Sequence, residues 1–402
     1  MTRIHNSESQ ADKPGGRPGS FRVIDFTRYM PGPVASRLLA DLGADVIKVE
    51  NTRTGDATRG FAPYIHEQGL FHVCLNPGKR SLAIESKSPE WPKVIEALAR
   101  TADVFLVGGL PEGLARQGID FESIRKINPR IVHCNVTGYG EEGPMRGTPS
   151  HGLNPDAMAG IVPIEWKDGL PFPQEMYQSA GAPLSGVFAA LGVMAALRRR
   201  DATGEAQRLS VSMLGAAIWW NWRHAAAYAN LHEPWFSYGG FGGRYATYQT
   251  SDDKIVLVCP IEKVFWEAFC DLLELPAEWR ARGTWGRSEM DHGIEYTWER
   301  AEIAKRIRQH PRAHWEREFA RIRIPFASIL SLEESLVSEQ AQAIGAMRDV
   351  DVNGKSAKIP ANPIRFVTPG EPPASPPRPP DLGEHTDEIL AELGLARPAR
   401  PA

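Results

Sequence analysis

Three cations gather early in the chain: Lys79 and Arg80 lead into a short apolar run, and Lys87 follows it. Ammonium and guanidinium groups near a helix start suit the phosphates of a nucleotide-like ligand, and they equally suit a solvated charged face. Further along, Gly239-Gly240-Phe241-Gly242-Gly243 is a loop with too much backbone freedom to be a scaffold, which reads as a tight turn or a mobile lid. Beside it, Trp219, Trp220, Trp222, Trp235 and Phe236 concentrate aromatic surface that fits a pocket for an apolar acyl group, a core or a subunit interface. His133 and His151 stand nearest to strand ends, but no Ser/His/Asp set can be read from the spacing. Cys74, Cys134, Cys259 and Cys270 are far apart with no CxxC pair, so they read as reduced thiols in a cytoplasmic protein and no metal site is expected.

These residues need a frame, and the hydrophobic pattern supplies one. Arg22 to Phe26 reads as a buried strand, Pro31-Gly32-Pro33 as a turn, and Val34, Leu38, Leu39 and Leu42 as one helix stripe. Gly43 ends that helix and Ala44 to Val49 is the next strand. Such strand–helix–strand units build parallel sheets. The theme recurs with a helix over 89–100, strands over 103–107 and 131–136, a short helix over 121–127, a long apolar helix over 184–197 and a strand over 208–213. The turn Met30-Pro31-Gly32-Pro33 has too few glycines for a dinucleotide fingerprint, although amides at the following helix start can receive an anion.

After Met213 the texture changes. A hairpin around Ser251-Asp252-Asp253, helical stretches near 263–274, 294–309 and 312–322, and a strand over 324–330 form a second, smaller α+β domain, placed at 225–330. Residues 21–224 and 331–402 form the large domain, with a proline-rich tail and a last amphipathic helix at 387–393. Residues 1–20, polar and rich in Gly and Pro, read as a disordered lead-in without the apolar core of a signal peptide. The 402 residues suit two domains, the net charge of -3 argues against electrostatic capture of nucleic acid, and no uninterrupted apolar run reaches the roughly 18 residues of a membrane span.

Six segments in order resemble the family III CoA-transferases, which include formyl-CoA and carnitine CoA-transferases and α-methylacyl-CoA racemase. They are Arg22–Thr27 with Pro31-Gly32-Pro33; Leu39–Glu50; Gly55-Asp56 with Thr58-Arg59; Lys79-Arg80-Ser81; Thr137–Gly140 with Gly143-Pro144; and Leu382–Asp387. The resemblance covers the chain from Phe21 onward. It implies an α/β fold, with a Rossmann-like large domain built from both chain ends, a smaller α+β domain and an interlocked dimer. It implies coenzyme A or an acyl-CoA as substrate, no metal, and a nucleotide lying near Tyr29, Met30 and Pro31, with Lys79, Arg80, Lys87 and Arg116 about its charged parts.

The departures from the family pattern are chemical. The transferases carry an aspartate ahead of the long helix, whose carboxylate attacks the thioester and carries acyl, then CoA, as covalent intermediates. The matching residue is Ala182, and a methyl group cannot do this. The racemases carry an aspartate after a histidine, and the matching residue is Gly152, after His151. The family's asparagine after the third strand is replaced in the region of Gly108-Gly109. Asp156, beside Pro155, is either a helix N-cap or a relocated nucleophile, and a loop could bring Glu175 near the same point.

Three functions fit. The first expectation is the non-nucleophilic subunit of a heteromeric CoA-transferase, resembling the aspartate-lacking chain of benzylsuccinate CoA-transferases. It would be paired with an Asp-bearing homologous subunit in a heterodimer or heterotetramer, and would move CoA from a donor such as succinyl-CoA to a bulky or aromatic acid. The alternatives are an autonomous acyl-CoA enzyme using Asp156 and a non-catalytic CoA-thioester-binding protein. Neither nucleic acid nor membrane is an expected partner.

Overall fold

The computed structural model describes residues 21–233, 242–286, 288–367 and 378–396. The lead-in 1–20, Trp235, Phe236 and the first three residues of the glycine-rich loop lie outside them.

The chain divides into two compact units, one reaching Trp222 and resuming at Gly345, the other Arg223–Ile344. The boundary expected at 331 falls at 345, because 331–344 holds two further short helices, Leu332–Val337 and Glu339–Ala343.

The large unit opens with β1 (Arg22–Asp25), α1 (Pro31–Asp41) and β2 (Asp45–Glu50). Pro31 starts α1, where its fixed φ costs no hydrogen bond, and Gly43 turns out of it at φ +100°. Then come β3 (Lys79–Ala83), α2 (Trp91–Thr101), β4 (Val104–Val107), α3 (Pro111–Gln117), α4 (Phe121–Ile127), β5 (Val132–Thr137) and α5 (Leu153–Met158). The 23-residue α6 (Gly181–Thr203), β6 (Gln207–Ser212) and α7 (Met213–Trp220) follow. The aromatic helix expected at 217–222 is the end of α7 and the start of a separate helix, Trp222–Leu231.

The six strands make one sheet in the order β6-β5-β4-β1-β2-β3, every pair parallel. The chain winds outward from β1 to β3, then returns to the other side of β1 and winds outward from β4 to β6. That is the doubly wound Rossmann order, with its reversal between β1 and β4. Alternate residues of each strand face opposite layers. Val23, Val46, Val104 and Leu106 join Leu39 of α1 and Ala189 and Val193 of α6 in one core. Ile24, Ile47, Phe105 and Val107 join Val94, Ile95 and Leu98 of α2 in the other. By length and composition α6 could cross a bilayer, but half of its apolar window is buried, and it packs into the core of this unit.

The second unit has its own core. Strands β7 (Ala246–Gln249), β8 (Ile255–Val258) and β9 (Phe326–Ser328) form an antiparallel sheet. Helices α8 (Lys263–Leu272), α9 (Glu299–Ile307) and α10 (Arg312–Ile322) accompany it, with Trp266, Phe269 and Phe319 at the centre. The chain ends in the large unit with the hairpin β10 (Met347–Val352) and β11 (Lys355–Pro360) and the helix α11 (Thr386–Glu392). Arg80 pairs with Asp45 on β2 and with Glu388 and Glu392 on α11, fastening the last helix beside β2 and β3.

Candidate functional site

In a doubly wound sheet the strand ends diverge where the winding reverses, and ligands bind there. A cavity of about 1060 Å³ lies at that place. Its walls come from the segments that leave the strands: Phe26–Gly32 after β1, Asn51, Gly55 and Asp56 after β2, Gly108–Leu110 after β4, and Thr137-Gly138 after β5. Segment 146–152, Ala182 of α6 and Met213 of α7 contribute as well, as do Lys48 and Glu50 of β2, Ser86, Trp91, Leu114 and Gln117.

Two of these residues mark the floor. Ala182 is buried in the first turn of α6, and a Cβ built on Gly152 would lie 3.7 Å from the Ala182 Cβ. The two positions therefore meet at one point, reached from different segments of the chain. Ser179 donates to the Gly152 carbonyl (2.9 Å) and Ser185 to the Ala182 carbonyl (2.8 Å), and both hold the backbone there. Next to Gly152, the His151 ring meets Tyr29 edge-on at 6.3 Å.

The wall after β1 is held from beneath by buried charges. Lys48 donates to the Thr27 carbonyl (2.9 Å) and pairs with Asp56 at 2.9 Å. Asp56 in turn accepts from the amides of Tyr29 (3.3 Å) and Thr58 (3.0 Å). Burial works against the charged form of Lys48, but Asp25, Asp56 and Glu50 outweigh it and its pKa is raised. Burial works against Asp25 too, and Lys48, Lys79, Ser36 and Thr27 together hold its carboxyl below the usual range. Glu50 sits in the same layer. Burial would raise its pKa, but the hydrogen bonds from Arg59, the charge of Lys48 and the Ser81 hydroxyl bring it to about 2.

The model of CoA-transferase family III matches residues 20–386. The chain belongs to that family. The formyl-CoA:oxalate CoA-transferase of Afipia carboxidovorans is 30% identical, with 92% of each chain covered. The succinate–glutarate CoA-transferase of Agrobacterium fabrum is 28% identical over 97% of this chain and all of its own. Among solved structures, a CAIB/BAIF family protein from Brucella suis shares the fold with a TM-score of 0.73, at 24% identity over 94% of this chain and 100% of its own.

Set against that family, the site residues expected from the sequence separate into two groups. Tyr29, Met30 and Pro31 line the cavity, together with His151, Gly152 and Ala182. The four cations expected around the CoA phosphates are absent from its wall. Lys79 is wholly buried, with Nζ turned to Asn76 Oδ1 (2.8 Å), the Pro33 carbonyl (3.3 Å) and Asp25 (3.4 Å). Burial pushes its pKa down to about 7, and Asp25 offsets this only in part. Arg80 is committed to Asp45 and α11. Lys87 and Arg116 are exposed and do not line the wall themselves, but each adjoins a residue that does, Ser86 and Gln117. Arg28 and Arg146 stand on it instead. Arg146 pairs with Glu112, whereas Arg28 is exposed, with no ion-pair partner among the described residues. The readable signal for Arg28 was its place directly after β1, where the sheet divides.

The other candidates have structural work. Asp156 is fully buried and off the wall, which corrects its reading as a relocated nucleophile. Oδ2 accepts from the Tyr177 hydroxyl (2.9 Å) and the Ala180 amide (2.7 Å), and Oδ1 from the Gly181 amide (2.9 Å). It therefore caps α6 from a distant segment, not its own helix. Glu175 is exposed and away from the cavity. His133 is buried on β5 with Nε2 bonded to the Ile119 carbonyl at 2.9 Å. Trp219, Trp220 and Trp222 are exposed, Trp219 packs edge-on to Phe188 at 4.9 Å, and none of the three lines the cavity. Among the described residues no cluster of three or more His, Cys, Asp or Glu side chains is placed to hold a metal ion.

Proposed function

We propose that this chain is the non-nucleophilic subunit of a heteromeric family III CoA-transferase. In this reading an Asp-bearing homologous subunit supplies the carboxylate and this chain holds a CoA thioester, so that CoA passes from an acyl-CoA donor, such as succinyl-CoA, to a carboxylic acid. One observation carries the reading: the positions matching both family carboxylates, Ala182 and Gly152, converge on the floor of a formed cavity and bring no oxygen to it. The carboxylates that do reach the cavity wall, Glu50 and Asp56, are held by Arg59 and Lys48.

The division of labour follows from the chemistry. The partner's carboxylate attacks the thioester carbonyl, and CoA leaves as its thiolate with an acyl anhydride in its place. This chain's part is to bind and orient. Two exposed apolar faces on the large unit favour association with another chain: Leu191 and Met194 of α6 with Trp219 and Trp220 of α7, and the face of the hairpin Ile164–Lys167 and Leu170–Pro173 that bears Ile164 and Trp166. The relatives named above differ in their acids, oxalate and glutarate, so their names do not choose the acid for this chain.

The test is co-expression. The purified lone chain should transfer no CoA, and co-purification with an Asp-bearing homologue should yield a stable complex that does. Robust transfer by the lone chain rejects the proposal.

A further inference from the structure

At the edge of the cavity floor stands a side chain in a backbone conformation that bulky residues rarely adopt. Tyr29 has φ +65°. Such conformations persist where the surroundings over-determine them, and they concentrate at binding sites. Here the Tyr29 amide is tied to Asp56 and its ring is framed by two others. Phe61 stands beside it at 6.1 Å with the planes tilted by 30°, and His151 meets it edge-on at 6.3 Å. Phe71 backs Phe61 in turn, edge-on at 6.3 Å. Tyr29 and Phe61 nevertheless keep 43% and 42% of their surface exposed, so the frame leaves ring area available for a further planar group.

We infer that Tyr29 and His151 of the cavity wall, with Phe61 supporting Tyr29 from outside that wall, form a subsite for an aryl group on the acyl side of a CoA thioester. The assignment rests on the reading that this cavity holds such a thioester. Its position decides between the two planar groups an aryl-CoA carries. His151 is bonded directly to Gly152, and Gly152 and Ala182 mark the floor where the carbonyl carbon must meet a partner's carboxylate. The Tyr29 ring stands 6.3 Å from that of His151 on the same cavity wall, within reach of a substituent on that carbon. The adenine is separated from the same carbon by the whole pantetheine arm and lies elsewhere. This moves Tyr29 from the nucleotide end of the ligand, where the family resemblance put it, to the acyl end. It also relocates the aromatic selectivity expected of Trp219 and Trp220, which do not line the cavity.

The experiment is calorimetric titration of the full chain with free CoA, acetyl-CoA and benzoyl-CoA. Benzoyl-CoA should bind about tenfold more tightly than acetyl-CoA, as an aromatic contact with apolar burial predicts. Tyr29→Gly should abolish that preference, costing benzoyl-CoA about tenfold more affinity than free CoA. Glycine accepts φ +65° without strain, so a folded variant is expected and its melting curve verifies it. Tyr29→Phe should keep the preference. Equal affinity of the wild type for acetyl-CoA and benzoyl-CoA overturns the aryl subsite while leaving CoA binding intact. An equal loss of free CoA and benzoyl-CoA affinity in Tyr29→Gly places the ring against adenine and also overturns it. No binding of any of the three by the wild type removes both this subsite and the thioester reading beneath it.

Discussion

Asp156→Asn separates a cap from a nucleophile. The carboxylate accepts three hydrogen bonds, two of them from the amides of Ala180 and Gly181 at the start of α6. The side chain is fully buried, so water cannot replace a lost partner. Asparagine has nearly the same shape but offers one acceptor oxygen. If that oxygen keeps Gly181, the new amide group points its hydrogens at the Ala180 N–H, and the Tyr177 hydroxyl must reverse from donor to acceptor. One charge-assisted bond is lost, worth about 1.5–3 kcal/mol, and a buried donor is left without a partner, at about 1–3 kcal/mol. The terms overlap, and a net cost of about 2–4 kcal/mol follows. In a unit of this size each kcal/mol lowers the melting temperature by roughly 2–4 °C. The assay is thermal unfolding at pH 7 beside calorimetric titration with free CoA. Melting should fall by roughly 4–15 °C while CoA still binds at temperatures where the variant is folded. An unchanged melting temperature would refute the capping role, and a covalent acyl or CoA adduct on Asp156 of the wild type would refute the mechanism.

Three further outcomes follow from the same geometry. Ala182→Asp places a carboxylate in the first turn of α6, where the helix N-terminus favours it, and should give the lone chain CoA transfer; a variant that binds CoA and still shows no adduct or turnover counts against the floor assignment. Gly152→Asp should be the poorer replacement, since a Cβ there falls 2.9 Å from Ser179 Oγ, and equal rescue by both would contradict the packing. His72, pushed to about 3 by burial and then by Arg59, is neutral when folded and protonates first when unfolded. Its contribution is complete above about pH 6.5 and is lost as pH falls towards 3, up to about 5 kcal/mol; His72→Gln should flatten this part of the stability–pH curve, and an unchanged curve would contradict it.

The local frame was legible in the sequence because β4 is an apolar run, β1 and β2 centre on Val23-Ile24 and Val46-Ile47, β5 alternates Val132, Cys134 and Val136 with polar residues, and α1 and α2 carry their stripes at helical spacing. The strand order was not, since pairings such as Ile24 with Phe105 join residues far apart in the chain. The hairpin β10–β11 was missed although its signal was present: Asn353-Gly354, both at positive φ, between alternating residues of which Val350, Val352, Ala357 and Ile359 are buried. For the site, residue type was readable and direction was not. Lys79 is a plausible phosphate ligand by composition. Whether its ammonium faces a ligand or the core depends on Asp25, Pro33 and Asn76, and the sequence does not say that these converge. Asp156 next to Pro155 looks like the cap of its own helix, and the amides it serves are 24 and 25 residues later.

In the proposed reading, the lack of a carboxylate at Ala182 and Gly152 is a settled feature of this chain rather than damage to it. A carboxylate removed from a buried site leaves its former partners stranded, at a cost for each of about 1–3 kcal/mol. Among the described residues, the buried side-chain polar atoms without a hydrogen-bond partner include none from Ser150, Ser179 and Ser185, which frame the floor. Ser179 and Ser185 instead bond the carbonyls of Gly152 and Ala182 themselves. The Asp156 cap fixes the start of α6, and the Lys48–Asp56 pair fixes the opposite wall, so neither depends on a floor carboxylate. A cavity kept in shape by contacts outside the reacting point can lose its nucleophile and keep its ligand. In the proposed assembly, that is what lets a partner chain supply the chemistry while this one binds.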